Sequence, residues 1–85
     1  MRQVYFTPVA EAQLNQWADT NKKIYNKIID LLDAIKEKPF SGTGKPEPLK
    51  HQLQGYWSRR IDKTHRLVYK VMDDSILVIS CMLHY

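Results

Sequence analysis

Three residues of the chain, Glu47, Arg66 and His84, have the chemistry needed to cleave RNA through its own 2′-hydroxyl. That reaction needs a base to remove the hydroxyl proton, an acid to protonate the departing 5′-oxygen, and a cation to stabilise the charge that gathers on phosphorus. A carboxylate, an imidazole and a guanidinium supply these roles without a metal ion or a cofactor. The residue types do not decide whether Glu47 or His84 is the base.

Each of the three residues also has an interpretation that involves no chemistry. Glu47 could be a surface carboxylate that only balances the charge of Lys45 and Lys50. Exposed ion pairs of this kind contribute little to stability. Arg66 could be a solvated cross-strand partner, although an arginine on the open face of a sheet can also hold a phosphate through two hydrogen bonds. His84 is the penultimate residue, and residues at a chain end are often frayed. Catalysis and a plain charged surface both stay open at this point.

The other residues that could act as nucleophiles or metal ligands are predicted to have no such role. His51 and His65 have no Asp or Glu at ligand spacing, which favours surface or RNA-contacting residues over metal ligands. Cys81 lies among apolar residues of a predicted strand, a setting typical of a buried, unreactive thiol. The loop containing Gly42 and Gly44 lacks the spacing of a nucleotide-binding loop. The sequence therefore predicts neither a metal nor a cofactor.

Basic residues are concentrated in the middle of the chain. Residues 41–70 contain seven Lys and Arg against two Asp and Glu, whereas residues 1–40 contain six against five and residues 71–85 none against two. The same stretch holds three aromatic residues, Tyr56, Trp57 and Tyr69. Cations interleaved with aromatic rings are typical of surfaces that neutralise phosphates and stack on bases. A solvated basic face has the same composition, so binding to nucleic acid is one of two interpretations.

The length of 85 residues predicts a single domain, residues 1–85, with a small core. Apolar residues at 44% and charged residues at 26% argue against a disordered chain. The single cysteine, Cys81, cannot form an internal disulfide, which fits a reducing compartment. The longest apolar stretches are far short of the roughly 20 residues that span a bilayer, and the first residues do not begin a signal peptide. We therefore expect a complete cytoplasmic chain with no membrane partner.

A strand and two amphipathic helices are predicted in the first half. The β-prone run Gln3–Phe6 precedes a helix that Thr7 can cap and that we expect over residues 8–19. A second helix is expected from about residue 22 to residue 38, where Pro39 stops it. Its apolar stripe consists of Ile24, Ile28, Leu31 and Ile35. The two helices predict a helical hairpin whose apolar faces need a sheet to cover them.

A loop and a three-stranded meander are predicted in the second half. Residues 39–48 hold three of the four prolines and two of the three glycines, which predicts a long loop. Three strands joined by short turns are then expected over residues 56–61, 65–72 and 75–83. The predicted fold class is α+β: an N-terminal strand and two helices packed on one face of a mostly antiparallel sheet.

Alternation along the strands sorts the candidate residues by face. In the middle strand it places His65, Leu67 and Tyr69 on one side and Arg66 on the other. Arg59 and Arg60 are neighbours, so they point to opposite sides of their strand. At most one of these two can therefore share a face with Arg66.

Four motifs occur together in the second half of the chain. Residues 42–51 read GTGKPEPLKH, residues 57–61 read WSRRI, residues 65–69 read HRLVY, and the chain ends in His84 and Tyr85. In this combination, and in length and element order, the chain resembles the YoeB (Txe) family of RelE-type bacterial toxins. The resemblance implies a RelE-like, microbial-ribonuclease-like fold. It also implies an mRNA interferase, a ribosome-dependent endoribonuclease that cuts mRNA in the A site of the 70S ribosome and so inhibits translation.

The resemblance also implies partners and roles for single residues. The expected partners are a cognate YefM-like antitoxin, operator DNA bound through the antitoxin complex, and a second copy of the toxin in a homodimer. The catalytic positions of the family fall on Glu47, Arg66 and His84. Positions that support phosphate binding or substrate placement fall on Lys50, Arg60 and Tyr85. We add Lys45 and Arg59 to this supporting set because they contribute to the same basic stretch.

In the mechanism that these residues predict, Glu47 takes the 2′-hydroxyl proton and the 2′-oxygen attacks phosphorus. Arg66 and Lys50 stabilise the charge, and His84 protonates the leaving oxygen to give a 2′,3′-cyclic phosphate. Glu47 and His84 could exchange roles. Two other functions remain open: a non-catalytic nucleic-acid-binding module, and a corepressor subunit that acts with an antitoxin on operator DNA.

Overall fold

The computed structural model describes residues 2–83, so His84 and Tyr85 lie outside the described residues. Two helices pack beside a five-stranded sheet. In chain order the elements are β1 (Gln3–Phe6), α1 (Pro8–Thr20), α2 (Lys22–Glu37), β2 (Glu47–Pro48), a short 3₁₀ turn (His51–Leu53), β3 (Tyr56–Arg60), β4 (Arg66–Val71) and β5 (Ser75–Ser80). Within residues 2–83, neither helix is long and apolar enough to cross a membrane.

Side-chain caps fix where the two helices begin. Thr7 Oγ1 accepts a hydrogen bond of 3.2 Å from the Ala10 amide, which satisfies a donor that the first turn of α1 leaves unpaired. Asn21 serves both helices, because its own amide donates to Trp17 O at the end of α1 while its side chain accepts from the Ile24 amide of α2. The predicted helical hairpin is confirmed, with α2 ending at Glu37 just before Pro39.

The strand order of the sheet is β1-β5-β4-β3-β2. β1 runs parallel to β5, and the remaining pairs are antiparallel. The α+β class and the meander of β3, β4 and β5 are therefore confirmed. Residues 47–48 differ from the predicted loop: Glu47 pairs with Ser58 and Pro48 with Trp57, which makes β2 a short edge strand. An edge position suits Pro48, which has no amide hydrogen to donate.

The core lies between the helices and one face of the sheet. Leu67 and Tyr69 of β4 are fully buried against the apolar stripe of α2, whose members Ile28, Leu31 and Ile35 are 0–1% exposed. Alternation therefore leaves Arg66 on the opposite, open face. Cys81 is fully buried, as predicted, although β5 ends one residue before it. Burial raises the pKa of the Cys81 thiol to about 11, so the thiolate form that reacts with oxidants or metals is disfavoured.

Gly44 anchors the long loop against α2 and β3. Its φ is +83°, a region that side chains disfavour, and its carbonyl accepts a 2.7 Å hydrogen bond from the Arg60 amide. A Cβ atom at this position would lie 2.9 Å from Leu31 Cδ2 and 3.1 Å from Arg59 Cβ. The loop therefore packs so closely on the core that a side chain here would force its neighbours to shift.

Replacing Gly44 by alanine should lower the free energy of unfolding by about 2–4 kcal/mol, because backbone strain and overpacking add. Urea denaturation measures the loss. Gly55→Ala is the matched control: Gly55 has a φ of +96°, but nothing lies within 4 Å of its Cβ position. The control should show the backbone cost alone, about 1–2 kcal/mol. Equal losses for the two variants would contradict the close packing at Gly44.

Candidate active site

Glu47 and Arg66 meet on the open face of the sheet. Glu47 begins the edge strand β2 and Arg66 begins β4, so the body of β3 lies between them. Arg66 Nη1 lies 3.8 Å from Glu47 Oε1, and the two side chains are 18% and 61% exposed. An ion pair this open contributes at most about 1 kcal/mol to stability. Two residues predicted as catalytic are thus adjacent, and the carboxylate stays accessible to a ligand.

Further basic residues surround the pair. The register places Arg60 directly opposite Arg66 and Tyr56 opposite Lys70, all on strand positions that face away from the helices. Lys70 Nζ lies 5.6 Å from the centroid of the Tyr56 ring. Like charges directly opposite each other on neighbouring strands repel. A bound anion relieves such repulsion, so this face is suited to phosphate.

Lys45 and Lys50 are exposed on either side of β2. Lys45 follows Gly44 with a φ of 51°, and Lys50 precedes the 3₁₀ turn. Between Glu47 and Lys50, Leu49 is buried and its amide donates to Tyr56 O at 2.9 Å. This anchor fixes the backbone of the segment while leaving both lysine side chains in solvent.

Arg59 is buried on the opposite face, which corrects the prediction that it contacts RNA phosphate. Its side chain is 0% exposed. The guanidinium donates to Tyr69 Oη at 3.1 Å and to three loop carbonyls, Lys38 O at 2.6 Å, Ser41 O at 2.8 Å and Thr43 O at 3.0 Å. With its donors used inside the protein, Arg59 holds the loop that leads to Glu47.

Tyr69 completes this internal network. Burial raises the pKa of its phenol, although the hydrogen bond from Arg59 acts in the opposite direction. The phenol therefore stays protonated and donates to Pro39 O at 2.8 Å. Arg59 and Tyr69 together hold four loop carbonyls.

His65 is also placed differently from the predicted surface or RNA contact. Its ring packs edge-on against Trp17 of α1, with 4.7 Å between the ring centroids. Its Nδ1 accepts a 2.8 Å hydrogen bond from the Leu83 amide. The signal was present in the sequence, because alternation puts His65 on the same face as Leu67 and Tyr69. His51, in contrast, is exposed as predicted.

The end of the described chain lies beside Arg66. The Arg66 amide donates to Leu83 O at 3.2 Å, and Leu83 is the residue that precedes His84. His84 and Tyr85 are themselves outside the described residues, so their assigned roles stay predictions. Among residues 2–83, no group of three or more His, Cys, Asp or Glu side chains is arranged to hold a metal ion.

Comparisons with known proteins agree with one another. The model of a family described as a YoeB-like toxin of bacterial type II toxin-antitoxin system matches residues 6–85. Toxin YoeB of Escherichia coli strain K12 is 55% identical over 69 residues, which are 81% of this chain and 82% of that protein.

Two solved structures from Staphylococcus aureus superpose on the chain over nearly its whole length. The YoeB dimer does so with a TM-score of 0.93 at 42% identity, covering 99% of this chain and 98% of that one. The YoeB–YefM complex does so with a TM-score of 0.92 at 43% identity, covering 100% and 99%. These superpositions confirm the fold that the sequence motifs implied.

Proposed function

The chain belongs to the YoeB family of toxins of bacterial type II toxin-antitoxin systems, and from this premise we propose that it is a ribosome-dependent mRNA interferase. Such an enzyme cuts mRNA in the ribosomal A site and thereby stops translation. The observation that carries the proposal is the 3.8 Å approach of Glu47 to Arg66 on an open basic face. The pair joins a proton acceptor to a phosphate-binding cation at a site that a polymer can reach.

The proposed reaction is an attack of the 2′-oxygen on the adjacent phosphorus. Glu47 removes the 2′-hydroxyl proton, and the guanidinium of Arg66 stabilises the negative charge of the five-coordinate phosphorus. His84 gives a proton to the 5′-oxygen as its bond to phosphorus breaks. The products are a 2′,3′-cyclic phosphate and a free 5′-hydroxyl. These side chains supply every proton and charge that the step requires, so we propose that no metal ion takes part.

The surrounding cations hold the RNA backbone in this proposal. Arg60 is exposed and lies directly opposite Arg66, and the exposed Lys45 and Lys50 flank β2, which begins at Glu47. Each can contact a phosphate without taking part in proton transfer. Tyr85 follows His84 directly, and its ring supplies a surface on which a base can stack. Arg59 is left out of this set because it is buried.

Dependence on the ribosome follows from the small size of the open face. A sheet of five short strands contacts few nucleotides, so it cannot by itself hold a flexible RNA in line for attack. A ribosome that holds the mRNA in position supplies that orientation, which is worth several orders of magnitude in rate. The site of action would then be the cytoplasm.

A YefM-like antitoxin is the proposed inhibitor. The relative from Staphylococcus aureus has been solved both as a dimer and as a complex with YefM. An acidic segment laid across Arg60, Arg66 and Lys70 would neutralise the charges that attract RNA. We propose the same partner here, with operator DNA bound through the complex, and self-association of the toxin as a homodimer.

Primer extension on an mRNA under translation tests the proposal. Purified translating ribosomes are mixed with buffer, with wild-type protein or with His84→Ala, and a parallel set contains the mRNA without ribosomes. We expect new 5′ ends with wild type alone, only when ribosomes are present, and a loss of at least about 10²-fold in His84→Ala. Cleavage of naked RNA at the same rate would contradict ribosome dependence. Absence of cleavage by a folded wild-type protein would instead favour the non-catalytic nucleic-acid-binding function.

A further inference from the structure

Side chains from α1 and the loop before β4, together with one backbone hydrogen bond from β4, hold the last described residues in place. β5 ends at Ser80, so Cys81 and Leu83 lie beyond its ladder. Gln13 Oε1 accepts from the Cys81 amide at 2.7 Å, and Trp17 Nε1 donates to Cys81 O at 2.9 Å. Both of these side chains come from α1. The chain just before His84 is therefore held at Cys81 by a helix that lies on the opposite side of the sheet from Glu47 and Arg66.

His65 provides the last fastening before His84. Its Nδ1 accepts a hydrogen bond of 2.8 Å from the Leu83 amide. A ring nitrogen that accepts a hydrogen bond carries no proton of its own. The ring is kept in that orientation by its edge-on contact with Trp17. The neighbouring Arg66 amide donates to the carbonyl of the same residue, Leu83. Two consecutive residues, His65 and Arg66, thus form hydrogen bonds with the amide and the carbonyl of Leu83.

The backbone of Leu83 is in an unusual conformation. Its φ is +62°, a left-handed value that a branched side chain rarely adopts, and its side chain is exposed. Burial of Leu83 therefore does not explain the conformation. Strain of this kind persists where neighbouring contacts over-determine it. The two hydrogen bonds to Leu83 are those contacts, and they hold the backbone of the residue that precedes His84.

We propose that His65 is a positioning residue for the reaction, which together with the Arg66 amide holds the backbone of Leu83, the residue directly before His84. This inference rests on the proposed function, since it gives His65 its role through the acid of the cleavage step. Without the acceptor, the Leu83 amide turns to water and the left-handed conformation relaxes. A misplacement of about 1 Å at a catalytic group can cost roughly 10²-fold in rate.

Two variants separate the hydrogen bond of His65 from its packing. His65→Phe keeps a ring against Trp17 but has no acceptor. His65→Asn loses the ring but places an oxygen at the position of Nδ1. We expect His65→Phe to reduce the single-turnover cleavage rate about 10- to 100-fold, with little change in the toxin concentration needed for half-maximal rate. His65→Asn should stay within a few-fold of wild type in rate.

Stability should follow the opposite order. His65→Asn should have the lower urea midpoint, because it loses the aromatic contact, while His65→Phe stays close to wild type. A merely structural role would make rate and stability fall together. In a His84→Ala background, His65→Phe should cause no further loss of rate, because the group that it positions is already gone.

Hydrogen exchange of the Leu83 amide gives a readout that does not depend on cleavage. We expect exchange about 10-fold faster in His65→Phe than in His65→Asn. If wild type cleaves mRNA and His65→Phe cleaves equally well, the positioning role is wrong while the proposed function stands. If wild type fails to cleave, the proposed function is wrong, and unchanged exchange at Leu83 would then show that His65 does not hold the chain end either.

Discussion

Replacing Glu47 by glutamine should reduce cleavage of mRNA on translating ribosomes by about 10²- to 10⁴-fold, the range that a general base contributes. Glutamine has the size and hydrogen-bonding reach of glutamate but cannot accept the 2′-hydroxyl proton. The fold should be unaffected, because the Glu47 side chain is 61% exposed and its pairing with Arg66 spans 3.8 Å. Single-turnover primer extension measures the rate, and a urea titration verifies that stability is unchanged.

Asp33→Asn is a matched control for this change. Asp33 is also an exposed carboxylate in an ion pair, 3.7 Å from Lys36 Nζ on α2 and 71% exposed. The substitution removes the same charge and breaks the same kind of pair. We expect it to leave the cleavage rate within a few-fold of wild type. Equal losses in the two variants, or none in Glu47→Gln, would contradict the assignment of Glu47 as the base.

Replacing Arg59 by methionine should lower the free energy of unfolding by about 3–5 kcal/mol, since several buried hydrogen bonds to a charged group are lost together. Methionine fills much of the space but donates to none of the three loop carbonyls or to Tyr69 Oη. Small domains have total stabilities of about 5–15 kcal/mol, so this is a large fraction. Urea denaturation measures the loss. If Arg59→Met is too unstable to give a folded baseline in the urea titration, Arg59→Lys serves instead. It retains one charged donor, and its loss of unfolding free energy should be smaller and measurable.

Arg60→Met is the control in the next position of β3. Arg60 is exposed, and the hydrogen bond that its amide makes to Gly44 O does not involve its side chain. We expect a change within about 0.5 kcal/mol, as for an ordinary surface substitution. In contrast to its stability, the rate of RNA cleavage by Arg60→Met should be measurably lower than that of wild type. Similar unfolding energies for Arg59→Met and Arg60→Met would contradict the internal role of Arg59.

The contrast between Arg59 and Arg60 marks a limit of prediction from sequence. Alternation states that the two point to opposite faces but does not state which one faces the helices. That choice depends on register, because a slip of one residue would exchange every side chain of β3 between the two faces. The observed pairing of Arg60 with Arg66 decides it, and this pairing depends on the geometry of the turn between β3 and β4.

The helices and the meander were predictable because they carry their signals locally. Thr7, Asn21 and Pro39 mark helix ends, and the apolar stripe of α2 has the period of a helix. β2 was not predictable in this way, since two residues in a proline-rich segment show no periodicity. It forms because β3 offers a free edge, which is a tertiary effect.

The residue types of the candidate site could be deduced from chemistry, but the distance between them could not. Glu47 and Arg66 approach only because β2 joins the sheet, which the sequence did not indicate. The position of His65 was partly visible, since a polar ring on the core face needs a partner. That partner is the backbone of Leu83, and no side-chain pattern could have identified it.

The parallel pairing of β1 with β5 has a consequence for the timing of toxicity during synthesis. Gln3 pairs with Ser75, so β1, the first strand to be synthesised, can join the sheet only after β5, the last strand, has been synthesised. Ile76 and Val78 of β5 are also fully buried core residues. A nascent chain that still lacks β5 therefore has neither a closed sheet nor a complete core. We therefore expect the proposed cleavage of mRNA to begin only after synthesis of the whole chain, when the protein could no longer act on the ribosome that made it.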